Sequence, residues 1–282
     1  MAICSMGSLL VAGSVMLGAT ATVMANERRS ELIRYNDIQI DVVVDGRGPA
    51  IVLLPSLARD SDDYDEVAEG LAANGFRVLR PKPRGIGRST GPMKVTLHDF
   101  ARDIAEVVKK HGNGKAVVAG HAYGNWVARM TATDHPDLVR GVAIVAAASK
   151  QYPPELSTAV TNAGNLSLSD EQRLAALRFG FFAPGNDPTV WLKGWHPEIR
   201  DSQRAAAAAV KQSDWWAGGT APLLDLQAAS DPFKPESKRN EMKDEFGSRV
   251  TVMVIPNASH ALIPEQPKAV VEALSQWIKS LP

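Results

Sequence analysis

The chain has 282 residues, 45% of them hydrophobic, and its 31 Lys+Arg balance its 31 Asp+Glu to a formal net charge of zero. That length suits one α/β domain with a modest insertion, and the charge balance argues against a nucleic-acid or anionic-membrane binder. The single cysteine, Cys4, excludes a disulfide, a CxxC pair, a thiolate zinc site or a cysteine nucleophile in the mature chain, and the six histidines show no HxxxH or HExxH spacing. No metal and no cofactor is expected.

The apolar, small-residue run from Met6 to Met24 ends at Val23-Met24-Ala25, which fits the cleavage rule of a secretory signal peptide before Asn26-Glu27-Arg28-Arg29. No Lys or Arg precedes the run, and a membrane anchor is its competing reading. Residues 1–25 are therefore expected to be removed, leaving a periplasmic or secreted protein rather than a cytoplasmic one, without stable membrane insertion.

After the leader, strands alternate with helices. Glu31 to Tyr35 and Ile38 to Val44 read as two β runs joined at Asn36-Asp37, and Ala50 to Leu54 as a continuous apolar strand. Asp62 to Asn74 has helical spacing and stops at Gly75. Phe76 to Leu79 is a strand, followed by a Pro- and Gly-rich loop through Gly87. Leu97 to Lys110 is an amphipathic helix, Lys115 to Ala119 a strand, Asn125 to Thr133 a helix entered from Gly124, and Val142 to Ala146 a strand. Pro222 to Leu226 and Val250 to Ile255 give two more strands, and Pro267 to Ile278 closes the chain as a helix. Apolar strands without polar alternation are buried on both faces, which implies a mainly parallel sheet of about eight strands with helices on both sides.

Between these elements, 150–219 holds no strand pattern but carries Phe179, Phe181 and Phe182 with Trp191, Trp195, Trp215 and Trp216, four of the chain's six tryptophans. The reading is a helical cap inserted into a core made of 26–149 and 220–282. Phe181 and the four tryptophans are expected to wall an apolar substrate pocket.

Val117-Val118-Ala119-Gly120-His121-Ala122-Tyr123-Gly124 is a strand, a glycine-flanked turn and a helix start. This is the context of the G-x-S-x-G nucleophile elbow, with alanine at its centre. On these residues the chain resembles the α/β-hydrolase superfamily from about residue 31 onward. Leu53 to Leu57 stands where the oxyanion loop belongs, Arg84-Gly85-Ile86-Gly87-Arg88-Ser89 resembles an R-G-x-G-x-S loop, and Asp231 and His260 follow in the order acid, then histidine. The departures are Pro55-Ser56 for the common His-Gly, Lys82 for a common Asp, and Ala122 where the family ordinarily has Ser, Cys or Asp.

The resemblance implies a catalytic constellation of His260 as base and Asp231 as its orienting acid beside the nucleophile position Ala122, with backbone N–H groups of Leu57 and Tyr123 as oxyanion hole. Ser56 is a further candidate hydroxyl near the hole, His121 a packing and hydrogen-bonding residue, Asp225 a weaker candidate acid or a buried charge with a partner, and Arg84 to Ser89 structural. A methyl group cannot attack a carbonyl, so a serine-type acyl-enzyme is excluded at Ala122. The leading expectation is an enzyme acting on a small, largely apolar carbonyl compound, by ester, lactone or amide hydrolysis. Alternatives are decarboxylase, lyase or cofactor-independent dioxygenase chemistry, in an arrangement similar to plant methylketone synthases, a serine hydrolase whose serine has been exchanged for Ala122, or a non-catalytic small-molecule binder. The expected partner is a small molecule only, and the sequence carries no signal of oligomeric state.

Overall fold

A computed structural model describes Met1, residues 28–111 and residues 114–282; the expected signal peptide lies outside the described residues, as does Cys4. The chain opens with β1 (Arg29–Tyr35), β2 (Ile38–Asp45) and β3 (Ala50–Leu54), followed by α1 (Asp65–Ala73), β4 (Arg77–Pro81) and α2 (Leu97–His111). Next come β5 (Ala116–His121), α3 (Tyr123–Asp134) and β6 (Val139–Val145). Four helices then precede the next strand: α4 (Pro154–Ala163), α5 (Asp170–Gly180), α6 (Pro197–Ala208) and α7 (Gln212–Trp216). The chain ends through β7 (Leu223–Ala228), α8 (Glu241–Phe246), β8 (Val250–Ile255), α9 (Leu262–Glu265) and α10 (Pro267–Ser280).

The eight strands form one sheet in the order β1-β2-β4-β3-β5-β6-β7-β8. Only the β1–β2 and β2–β4 pairs are antiparallel; every pairing from β4 across to β8 is parallel. Alternate residues of the central strands feed two separate cores. Val52, Val118, Val142 and Ile144 pack toward Phe100 and Ile104 of α2 and Val127 of α3. Ile51, Val117, Ala143 and Val145 pack toward Val67 and Leu71 of α1 and Leu274 of α10. With both faces covered, the strands need no polar side, which is why they read as unbroken apolar runs. The result is the α/β-hydrolase fold.

Several element limits differ from the sequence reading. β5 continues through Gly120 to His121 and α3 starts at Tyr123, so the turn between them is a single residue, Ala122. β7 runs on to Ala228, carrying Asp225 and Gln227 inside the sheet. The expected helix from Asp62 divides into a 3₁₀ turn at Ser61–Tyr64 and α1. Strand hydrogen bonding extends past the apolar residues wherever a buried partner satisfies the polar side chains, and periodicity alone does not mark that. Among the described residues, no helix is long and apolar enough to cross a membrane.

Residues of α4, α6 and α7 line one cavity with the segments that follow β3, β5 and β6. A third apolar cluster joins Phe181, Phe182, Trp191 and Trp195 to Ala58 and Ala261 of the core. Polar clamps fix the same contact. Gln203 accepts from the Ala58 N–H at 2.7 Å, its carbonyl accepts from the Tyr123 hydroxyl at 2.9 Å, and Ala58 in turn accepts from the His196 N–H at 2.9 Å. Arg59 pairs with Asp63, donates to the Lys193 carbonyl at 2.6 Å, and lies over Trp191 and Trp195 at 4.6 and 4.9 Å.

Gly124 shows how closely α3 approaches β3. A Cβ there would sit 2.5 Å from the Leu54 carbonyl oxygen and 2.6 Å from that of Pro55. Alanine would add roughly 1 kcal/mol of helix propensity, but backbone atoms cannot yield as a flexible side chain can. Gly124→Ala is expected to destabilise the fold by about 3 kcal/mol, read as a lower urea midpoint at unchanged slope.

Candidate active site

The site is built around the turn at Ala122. Its φ of 46° and ψ of −112° place a non-glycine residue in a sparsely populated region. The turn is held by the Ala122 N–H donating to the Val145 carbonyl at 3.1 Å, and by the Ala122 carbonyl accepting from the Asn125 N–H at 3.1 Å and from the Asn125 side chain. A Cβ at Gly120 would overlap Gly124 and Asn125, so the flanking glycines are a steric requirement. The Ala122 methyl therefore projects from the strand end into a cavity of about 590 Å³.

Ser56, Leu57, Tyr123 and His260 line that cavity with Ala122. The N–H groups of Leu57 and Tyr123 donate to no other group among the described residues; Tyr123 opens α3, where the first amides lack intrahelical acceptors. The backbone at Leu57 is set by a tight turn, in which Arg59 N–H donates to the Ser56 carbonyl at 3.2 Å and Ala58 takes a φ of 54°.

The structure brings His260 and Asp231 together. His260 Nδ1 lies 3.0 Å from Asp231 Oδ2, and both residues are buried. Asp231 Oδ1 accepts from the Phe233 N–H at 2.9 Å, so the carboxylate is held from the backbone while Oδ2 faces the ring. The Phe233 ring covers the imidazole at 4.1 Å and 32°, and Phe181 meets it edge-on at 5.6 Å. With Nδ1 committed to Asp231, Nε2 has no partner among the described residues. The two loops are tied by Ser230 N–H to the Ala258 carbonyl at 2.9 Å and Ser259 Oγ to the Ser230 carbonyl at 3.1 Å.

His121 lies outside the cavity lining. Its Nε2 is 2.7 Å from the His260 carbonyl, an acceptor, so Nε2 carries the proton and fixes the His260 backbone. Burial, then the neighbouring His260, pushes the His121 imidazole down from its ordinary 6.5 to about 3. Asp225, fully buried in β7, pairs with Lys234 at 2.6 Å and accepts from Gln227 at 2.8 Å, a buried charge with a partner rather than an acid on His260. The Arg84 loop is structural: Arg84 grips Asp103 at 2.8 and 2.7 Å, and Lys82 meets Asp60 at 2.6 Å.

Of the expected wall, Phe181, Trp195, Trp215 and Trp216 line the cavity. Trp191 does not. It stands behind Phe181 at 5.7 Å, against His121 at 5.9 Å and beneath Arg59, because the 3₁₀ turn at Pro188–Trp191 directs its ring into the core. The sequence reading missed Phe233, Trp126 and Asn125. Phe233 lies two residues after Asp231, the only local signal for it. Trp126 stacks on Trp215 at 5.3 Å, and Asn125 lines the cavity while its Oδ1 is buried without a partner. Among the described residues, no group of three or more His, Cys, Asp or Glu could hold a metal ion.

The sheet order and the one-residue turn at Ala122 are those of the α/β-hydrolase fold, with Asp231 and His260 on the loops that follow β7 and β8. A family model described as alpha/beta hydrolase fold matches residues 49–182, from β3 through the elbow into the cap. The chain is 32% identical to a fluoroacetate dehalogenase from Burkholderia over 125 residues, covering 42% of this chain and 40% of that one. It is 22% identical to 2-(acetamidomethylene)succinate hydrolase from Mesorhizobium japonicum, covering 92% of this chain and 98% of the relative. Among solved structures, a thermophilic esterase from Thermogutta terrifontis superposes with a TM-score of 0.68 at 23% identity, over 90% of this chain and 98% of that one. The chain thus spans less than half the length of the dehalogenase and nearly all of the succinate hydrolase.

The depressed His121 sets a pH dependence. Below pH 6.5 the unfolded chain protonates this imidazole, whereas the folded chain keeps it neutral down to about 3. Its contribution to stability is complete above pH 6.5 and declines as the pH falls from there toward 3. The loss of urea midpoint between pH 7 and pH 4.5 is expected to be smaller in His121→Asn than in the parent.

Proposed function

We propose that this protein is a hydrolase of a small, largely apolar carbonyl compound (an ester, lactone or amide) in which His260 activates water directly and no side chain at 122 forms a covalent intermediate. The pairing of His260 Nδ1 with Asp231 at 3.0 Å, with the ring lining the same cavity as Ala122 and the Leu57 and Tyr123 amides, carries the reading. Relatives named as a dehalogenase and a succinate hydrolase support hydrolytic chemistry on this scaffold.

In this mechanism Nε2 of neutral His260 takes a proton from a water held in the space left by the missing nucleophile. The hydroxide oxygen bonds to the substrate carbonyl carbon, and the carbonyl π pair moves onto oxygen. That oxyanion accepts from the Leu57 and Tyr123 N–H groups, whose placement depends on the backbone and not on the side chain at 122. Asp231 stabilises the imidazolium, which returns the proton to the leaving alkoxide or amine as the C–O or C–N bond breaks. The Ser56 hydroxyl lines the same end and adds a donor for the water or the oxyanion. We further propose export, with a mature chain that starts at Asn26 and is recovered from the envelope or medium.

A panel of 4-nitrophenyl esters tests the mechanism. His260→Ala is expected to lower kcat by about 10²–10⁴, and Asp231→Asn to lower it less, with the cavity intact in both. A phosphonate ester probe should leave the parent unlabelled. Ester turnover by Ala122→Ser that exceeds the parent's by several orders of magnitude, with phosphonate labelling, would instead mark a serine-hydrolase site lacking its nucleophile.

A further inference from the structure

The outer half of the cavity differs in chemistry from its floor. The floor is buried and largely apolar, formed by Trp195, Trp215, Trp216, Phe181 and Phe233 around His260. The lining residues exposed to solvent include Lys150, Ser157, Arg204 and Gln212, which mark the mouth, whereas His260 is buried. Two cations and no Asp or Glu line the cavity. Their situations are unequal. Lys150 is neutralised by Glu245 at 2.8 Å and lies over Trp216 at 5.1 Å. Arg204 has no carboxylate within ion-pair distance among the described residues, and its one side-chain hydrogen bond is to Thr161 Oγ1 at 3.2 Å.

We propose that Arg204 forms a carboxylate subsite at the outer end of the cavity, so that the substrate is an amphipathic carbonyl compound with one carboxylate remote from the scissile bond. This rests on the hydrolytic reading of the same cavity. One uncompensated guanidinium matches a monoanion, and its planar fork of donors matches a carboxylate in particular. Position adds to the case. Arg204 follows Gln203 on α6, and Gln203 is clamped to both Ala58 and Tyr123, so the helix that carries the cation is fixed to the two segments of the oxyanion hole. The distance between charge and reacting carbonyl is therefore set by the fold, and it selects chain length as well as charge.

The experiment compares mono(4-nitrophenyl) glutarate with 4-nitrophenyl valerate, which differ in a terminal carboxylate, and separately titrates glutarate by quenching of the cavity tryptophans. The parent is expected to prefer the glutarate ester. In Arg204→Gln the ratio of kcat/KM values, glutarate over valerate, should fall about five- to thirty-fold, Arg204→Lys should recover part of it, and glutarate affinity should drop in parallel and weaken with added salt. If neither ester is turned over but glutarate binds and Arg204→Gln abolishes the binding, the hydrolytic reading fails and the subsite stands. If valerate is hydrolysed while neither the ratio nor glutarate binding responds to Arg204→Gln, the subsite is overturned and the hydrolytic reading stands.

Discussion

The close approach of α3 to the end of β3 is the constraint on which the rest of the site depends. Gly124 leaves no side chain between α3 and the Leu54-Pro55 backbone, Gly120 leaves none between the end of β5 and the start of α3, and the strand-to-helix reversal is confined to a single residue. Ala122 absorbs the reversal at positive φ, a strain of order 1–3 kcal/mol that the surrounding β3–β5–β6 pairing must offset. The same compression brings the first free amide of α3 beside the turn at Leu57. The proposed oxyanion site would belong to the backbone, so its two donors do not depend on the side chain at 122. On the proposed mechanism, a methyl at 122 removes the covalent step and leaves the electrostatic one.

Around this turn the remaining groups are held by a small number of buried polar contacts. The Asp231 and His260 loops are cross-linked through Ser230 and Ser259, and Glu265 Oε2 accepts from the Ser259 N–H at 2.6 Å while Oε1 accepts from Ala183 of the cap segment at 2.7 Å. His121 anchors the His260 backbone and stays neutral, so the dyad has no second cation beside it. Lys234 and Asp225 cancel each other deeper in the wall. These arrangements leave the His260–Asp231 pair as the charged feature of the cavity floor, shielded by Phe233, and they leave Arg204 as the unbalanced charge at the mouth. An amphipathic cavity of this kind orients a ligand by placing its apolar and anionic parts at opposite ends.

The α6 segment and the elbow are joined by direct hydrogen bonds. Gln203 joins α6 to Ala58 and Tyr123, and Arg59 joins the oxyanion loop to the Trp191–Trp195 segment. A shift of the cap relative to the sheet therefore displaces the amides that would meet an oxyanion. On the proposed mechanism, substitutions in α6 far from His260 would change catalysis through this path.

What the sequence determined by itself is whatever is encoded over a short span. The glycines at 120 and 124 specified the elbow, because only a residue without Cβ fits there; the apolar runs specified a sheet covered on both faces; and the order Ala122, Asp231, His260 set these residues after β5, β7 and β8, at the carboxyl ends of parallel strands. The tertiary structure decided which side chains face the cavity. Trp191 and Trp195 are four residues apart, yet one turns into the core beneath Arg59 and the other lines the cavity, while Phe233 reaches His260 from a loop with no period to reveal it. It also decided that Asp225 pairs with Lys234 and that Arg204 has no carboxylate within ion-pair distance among the described residues. Local sequence fixes backbone shape through steric exclusion between near neighbours, whereas the direction of a side chain in an irregular cap is fixed by contacts with residues distant in the chain, and those exist only once the sheet and the cap have packed together.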